Sequence, residues 1–117
     1  MATENAARSE PFVPLHSVGS LDELFLLSSE RPVVLFKHSL TCPISSAAYQ
    51  QMQRLTREVW LIVIQQSPDT SAEIGRRTGV RHESPQVIII RNGTAVWSAT
   101  HWSITADAVE RAVEENE

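Results

Sequence analysis

The fold is decided by the stretch VVLFKHSLTCPISSAAYQQM at positions 33–52. It begins with Val33–Phe36, a run of aliphatic and aromatic residues without alternation, which is typical of a short strand buried on both faces. From Pro43 onward, apolar residues recur at the spacing of one helix face. These residues are Ile44, Ala48, Met52 and Leu55, with Ala47 beside them. The stretch therefore predicts a buried strand, a short loop and a helix in succession.

Two elements are predicted upstream of this stretch. A Ser-x-x-Glu capping box at Ser20–Glu23 indicates the start of a helix that runs to about Ser29, where Arg31-Pro32 ends it. A short strand around residues 12–18 can precede this helix. Pro14 argues against a central place for that strand in a sheet, because proline cannot donate to the ladder.

The downstream half continues the alternation of strands and helices. Val59–Ile64 reads as a second buried strand. A second capping box at Thr70–Glu73 predicts a helix that stops at Gly79, the usual residue for a left-handed cap. The remaining predicted elements are a strand at Val87–Ile90, a hairpin turn at Asn92-Gly93, a strand at Ala95–Trp97 and a helix capped by Thr105.

This order of elements predicts an α/β domain with a thioredoxin-like architecture, although other small α/β folds share the order. A strand–helix–strand connection within one sheet is parallel, whereas the Asn92-Gly93 hairpin joins antiparallel strands. The central sheet is therefore expected to be mixed, with four to five strands flanked by helices. We expect a single domain over residues 12–117, preceded by a flexible tail over residues 1–11.

Size and composition exclude several functional classes. The chain has 117 residues, of which 42% are hydrophobic and 21% charged, as in an ordinary soluble domain. A formal net charge of −4 argues against a general nucleic-acid binder. The apolar runs are far shorter than the roughly 20 residues that cross a membrane, and the first ten residues do not resemble a signal peptide. We therefore expect a cytoplasmic protein, in a compartment where thiols stay reduced. We also expect it to be a monomer.

The one cysteine, Cys42, lies at the junction between the central strand and the following helix. Because proline is favoured at the first position of a helix, Pro43 places Cys42 at or beside the N-cap. Unpaired N–H groups and the positive end of the helix dipole stabilise a thiolate there. A single cysteine also excludes an internal disulfide framework. We interpret Cys42 as a reactive nucleophile rather than as a buried apolar residue.

Ser45 occupies the position of the second sulfur in a Cys-x-x-Cys redox motif. A hydroxyl group cannot resolve a mixed disulfide. The predicted chemistry is therefore monothiol exchange, in which Cys42 attacks, holds the adduct and is released by an external thiol. The alternative is that Ser45 is a solvent-facing helix residue without a role.

Pro85 comes just before the third predicted buried strand. In a thioredoxin-like fold, a cis proline at this place exposes the preceding backbone, here that of Ser84, to an extended thiol substrate. The alternative is an ordinary proline at a strand entry, since most X-Pro bonds are trans.

Histidines and basic residues form a second set of candidates. His38, His82 and His101 lie near element ends and could hold a metal together with Cys42, but their spacing matches no zinc pattern, so we predict no metal site. We interpret Lys37, Arg81 and His82 as contacts for the carboxylate of a thiol. The alternative is a set of exposed charges.

Three segments resemble the monothiol bacilliredoxins, the YtxJ-like group of thioredoxin-fold proteins. They are KHSLTCPIS at 37–45, RHESPQ at 81–86 and HWSIT at 101–105. The likeness covers about residues 18–112. The first segment contains the Thr-Cys-Pro-Ile-Ser active site of the family at Thr41, Cys42, Pro43, Ile44 and Ser45.

The resemblance implies that Cys42 takes up bacillithiol from S-thiolated proteins, that Ser45 marks the monothiol position and that Pro85 is the cis proline. Bacillithiol or a similar low-molecular-weight thiol would be a co-substrate, no cofactor would be needed, and the role would be in redox homeostasis and stress response. The malyl group of bacillithiol carries two carboxylates, which gives the basic residues an electrostatic task. Trp102 also matches the family. It either walls the thiol groove or, in the interpretation we favour, fills the core.

Two alternatives come from other functional classes. One is a non-catalytic thioredoxin-like module that binds a partner in the same groove. The other is an iron–sulfur carrier of the kind found among monothiol glutaredoxins, although the Thr-Cys-Pro-Ile-Ser segment differs from the Cys-Gly-Phe-Ser of those carriers.

Overall fold

The computed structural model describes residues 11–117. Within this range the chain forms five strands, four helices and one 3₁₀ turn. The strands are β1 (Phe12–Pro14), β2 (Val33–His38), β3 (Val59–Val63), β4 (Gln86–Arg91) and β5 (Thr94–Thr100). The helices are α1 (Val18–Leu27), α2 (Pro43–Gln53), α3 (Pro68–Thr78) and α4 (Ala106–Glu115), and the 3₁₀ turn is His101–Ser103. Positions 1–10 of the predicted flexible tail lie outside the described residues.

The strands form one mixed sheet in the order β1-β3-β2-β4-β5. β1 and β2 both pair parallel with β3, β4 runs antiparallel to β2, and β5 runs antiparallel to β4. Asn92 and Gly93 have φ angles of 55° and 74°, as the predicted two-residue hairpin turn requires. The predicted mixed sheet is confirmed, and β2 is its middle strand.

Helices cover both faces of the sheet. On one face, Val34 and Phe36 of β2 pack in a core cluster to which α2 and α4 contribute Met52 and Val109. On the other face, Val33 and Leu35 pack with apolar residues of α1 and α3. Because successive residues of a strand point to opposite faces, the unbroken apolar run of β2 supplies both cores.

The predicted starts of α1 and α3 are wrong by three residues. The N-caps are Ser17 and Ser67, not Ser20 and Thr70. Ser20 instead donates its backbone N–H to the Ser17 side chain at 3.1 Å. Ser67 is followed by Pro68, a signal for the first helical position that outweighs the capping box downstream. The predicted left-handed end of α3 at Gly79, with φ 70°, and the Thr105 cap of α4 are confirmed.

No helix formed by residues 11–117 combines the length and the apolar character needed to cross a membrane.

Candidate active site

Cys42 is the N-cap residue of α2, as predicted. Its backbone is extended (φ −106°, ψ 117°), Pro43 occupies the first turn, and the side chain makes no capping hydrogen bond. The Cys42 carbonyl accepts the backbone N–H groups of Ser45 and Ser46 at 3.0 and 3.2 Å. The residue is half-exposed. The sequence thus places a free, accessible sulfur at the N-terminus of a helix.

Gln65 holds the loop between β2 and Cys42. Its side-chain amide donates to the hydroxyls of Ser39 and Thr41 at 2.8 and 3.4 Å, and its carbonyl accepts the Leu40 N–H at 3.2 Å. Leu40 itself is 59% exposed. Sequence reasoning missed Gln65. Its position just after β3 could have indicated this role. The carboxyl ends of the parallel strands β2 and β3 meet at one edge of the sheet, where the Cys42 loop also lies.

Ser45 is completely buried, so the alternative of a solvent-facing residue is wrong. Its Oγ accepts the Ser39 N–H at 2.9 Å and lies 2.7 Å from Nδ1 of His38. His38 is also buried, beside the rings of Phe36 and Tyr49, and burial lowers its pKa below the ordinary value. The position of the second sulfur in a Cys-x-x-Cys motif is therefore occupied by a hydroxyl that is hydrogen-bonded to β2 and to the loop after it.

We expect Ser45→Ala to lower the free energy of unfolding by about 1–3 kcal/mol, because it leaves the buried Ser39 N–H and the His38 ring nitrogen without a partner. The matched control is Ser46→Ala, an exposed serine on the same helix, which should stay within about 0.5 kcal/mol of the parent. Urea denaturation measures both. Equal effects of the two substitutions would show that the buried network contributes nothing.

Pro85 lies at the same edge of the sheet as the Cys42 loop, because Gln86 pairs with Lys37 in the antiparallel β2–β4 register. The Ser84–Pro85 peptide bond is cis, as predicted. The Pro85 carbonyl accepts the backbone N–H of His101 at 3.2 Å. Among residues 11–117, the Ser84 hydroxyl is the buried side-chain polar atom without a hydrogen-bond partner.

Trp102 does not fill the core, so the interpretation we favoured is wrong. Its side chain is 71% exposed in the 3₁₀ turn after β5. It lines a groove of about 200 Å³ together with Ala47, Gln50 and Gln51 of α2. Because Cys42 is the N-cap of α2, the tryptophan lies on the same side of the sheet as the cysteine.

The three basic candidates differ in their exposure. Arg81 and His82 are exposed, but Lys37 is completely buried, so the alternative of an exposed charge is wrong for Lys37. Lys37 Nζ lies 2.6 Å from Nδ1 of His82. A direct contact between Lys37 and a ligand is therefore blocked by His82 in this conformation.

Two other kinds of site are relevant beside the cysteine: a cluster of metal-ligating side chains and a second cavity. Within the described range, no group of three or more His, Cys, Asp or Glu side chains is placed to hold a metal ion. A cavity of about 430 Å³ is lined by Val33 and Arg91, at the opposite end of the sheet from Cys42.

Comparisons with known proteins agree with this geometry. The family model of the monothiol bacilliredoxin BrxC matches residues 13–109. A solved structure described as a candidate oxidoreductase with a thioredoxin fold is 29% identical, with 96% of this chain and 97% of that chain covered and a TM-score of 0.79.

Two thioredoxins show the fold at lower identity. Thioredoxin from Trypanosoma brucei brucei is 13% identical, with 93% of each chain covered and a TM-score of 0.72. Thioredoxin from Fasciola hepatica is also 13% identical, with 89% of this chain and 98% of that chain covered and a TM-score of 0.70. The fold is therefore that of thioredoxin, and with a match over residues 13–109 the chain belongs to the monothiol bacilliredoxin family.

Proposed function

We propose that this protein is a monothiol thiol–disulfide oxidoreductase that removes bacillithiol, or a similar low-molecular-weight thiol, from protein mixed disulfides in the cytoplasm. One observation carries the proposal. Cys42 lies free and half-exposed at the start of α2, while the position three residues on holds a buried hydroxyl instead of a second sulfur. This arrangement supports attack and adduct storage but offers no internal group for resolution.

The exchange takes place in two displacements. The Cys42 thiolate attacks the bacillithiol sulfur of the mixed disulfide, and the protein thiolate leaves with the electron pair of the broken S–S bond. Cys42 now carries bacillithiol as a mixed disulfide. An external thiolate then attacks the bacillithiol sulfur, which forms a new disulfide and returns Cys42 as thiolate. The external thiol is therefore the reductant, and no cofactor takes part.

The surroundings of Cys42 support binding of the two substrates. Exposed Leu40 and Trp102 provide apolar surface for the thiolated protein. Ser84 and the cis Pro85 provide polar backbone for an extended chain at the same edge of the sheet. The exposed Arg81 and His82 provide positive charge and an N–H donor for the carboxylates of the low-molecular-weight thiol.

Intact-protein mass spectrometry tests the proposal. Reduced protein is mixed with a model protein that carries bacillithiol, and separately with the same protein carrying glutathione. We expect this chain to gain the mass of bacillithiol, with release of the reduced donor. Transfer from the glutathione donor alone would overturn bacillithiol as the substrate. Transfer from neither donor would overturn the enzymatic proposal in favour of a binding module.

A further inference from the structure

The buried Lys37 and the exposed His82 form a pair that has no part in the exchange chemistry. Lys37 lies near the end of the central strand β2 with no exposed surface. Its Nζ is 2.6 Å from Nδ1 of His82, a residue of the exposed loop before Pro85. A lysine ammonium has only donors, so Nδ1 must accept. The ring proton of neutral His82 is therefore on Nε2.

Gln86 fixes the loop that carries His82. Its side-chain amide donates to the Arg81 carbonyl at 2.9 Å, and its side-chain carbonyl accepts the Glu83 N–H at 3.4 Å. Gln86 is itself buried and pairs with Lys37 across the β2–β4 register. The loop is thus attached to the sheet on both sides of His82. Lys37 then sets the orientation of the ring within that loop.

The charges of the pair differ at neutral pH. Burial lowers the pKa of Lys37 to about 8, partly opposed by the negative charge of Glu83, so the side chain is still mostly an ammonium at pH 7. Burial, followed by the positive charge of Lys37, lowers the pKa of His82 from its ordinary value, again opposed by Glu83. The imidazole is therefore neutral when the ammonium donates to it. A charged donor on one ring nitrogen polarises the N–H on the other and strengthens it as a donor.

We propose that Lys37 acts through His82, fixing its Nε2–H tautomer so that this N–H binds a carboxylate of the low-molecular-weight thiol held at Cys42. The inference rests on the proposed function, because it names the anionic class of that thiol. His82 is the binding residue and Lys37 is a positioning residue that never touches the ligand. Within residues 11–117 no side chain or carbonyl accepts from Nε2 of His82, which leaves this donor available.

The proposal predicts that carboxylate binding weakens as pH rises from 7 to 9. Lys37 loses its proton through about pH 8, and the neutral amine no longer fixes the tautomer of His82. Simple electrostatic attraction between a carboxylate and the Arg81 guanidinium does not depend on the protonation of Lys37. A carboxylate site that depended on Arg81 alone would therefore keep its affinity across the same pH interval.

Nuclear magnetic resonance of the ¹⁵N-labelled full chain tests the pair directly. Ring nitrogen shifts of His82 report the tautomer, and titration with malate reports carboxylate binding without any thiol chemistry. At pH 7 we expect the Nε2–H tautomer in the parent and a mixture of tautomers in Lys37→Met. We expect Lys37→Met to bind malate about 5- to 10-fold more weakly, because an ordinary donor replaces a charge-assisted one.

Two histidine variants and a charge control complete the test. His82→Asn keeps an acceptor for Lys37, but its shorter amide does not carry an N–H to the position of Nε2, so malate binding should be lost. His82→Gln keeps an outward amide donor and should retain part of the binding. Arg111→Met removes one positive charge from an exposed site on α4 and should change neither the tautomer nor the affinity.

The outcomes separate this inference from the exchange activity. An unchanged His82 tautomer and unchanged malate affinity in Lys37→Met would overturn the inference, as would a parent affinity that is constant from pH 7 to 9. If His82 keeps the Nε2–H tautomer and malate binding depends on pH, but bacillithiol is not transferred, only the proposed substrate is overturned. Transfer that proceeds without malate binding would overturn the role of His82 and leave the exchange standing.

Discussion

The Cys42→Ser variant will take up no low-molecular-weight thiol from any mixed disulfide, and release of the donor thiol will fall to the uncatalysed rate. The reason is chemical. Only a thiolate displaces sulfur from a disulfide, and a serine hydroxyl remains protonated near neutral pH. The chain has a single cysteine, so no other side chain can take over the attack. Intact mass and donor-thiol release, followed over the same time course, measure the loss.

The loss can be assigned to chemistry rather than to unfolding. Cys42 is half-exposed and makes no side-chain capping bond, so little packing depends on its sulfur. Serine is among the favoured N-cap residues, and its hydroxyl can accept a backbone N–H of the first turn of α2. The thermal unfolding midpoint of the variant should therefore equal or exceed that of the parent. An adduct found on the variant, or donor release at the parental rate, would contradict the assignment of Cys42 as the nucleophile.

The order of elements could be predicted because its signals are local. The apolar run at Val33–Phe36, the Asn92-Gly93 pair and Gly79 each specify strand, turn or cap from neighbouring residues alone, and all three are confirmed. The helix starts were wrong because the capping boxes at Ser20–Glu23 and Thr70–Glu73 begin three residues after the N-caps, Ser17 and Ser67. At Ser67 and Thr70 the following Pro68 decided between them, since proline is suited to the first helical position.

The environment of the site residues could not be predicted in the same way. Lys37 looks exposed in the sequence because it is charged, yet it is buried and contacts His82, which is 45 positions away. Trp102 looks like a core residue because it is large and apolar, yet the 3₁₀ turn after β5 leaves it in solvent. Ser45 faces His38 and Ser39 only once α2 has packed against the end of β2. Each outcome depends on tertiary contacts that no local pattern encodes.

The Ser45→Cys variant should change the product of the reaction from a stable adduct to an internal disulfide. Residues three apart in the first turn of a helix lie close enough for their sulfurs to bond, and Ser45 N–H already contacts the Cys42 carbonyl at 3.0 Å. His38 Nδ1, at 2.7 Å from the present hydroxyl, would accept the proton of the new thiol. The thiolate of the substituted residue would then attack the Cys42 sulfur, form the Cys42–residue 45 disulfide and release the low-molecular-weight thiolate.

Effective molarities of well-placed intramolecular groups far exceed the millimolar concentration of an external thiol, so the adduct of this variant should disappear on the order of 10³-fold faster than that of the parent. Mass spectrometry would show the loss of two hydrogens in place of the bacillithiol mass. Ser98→Cys, which adds a second thiol at an exposed site of β5, is the matched control and should keep the parental adduct lifetime. A Ser45→Cys protein that folds normally but retains its adduct as long as this control would contradict the idea that the serine is what makes the chemistry monothiol.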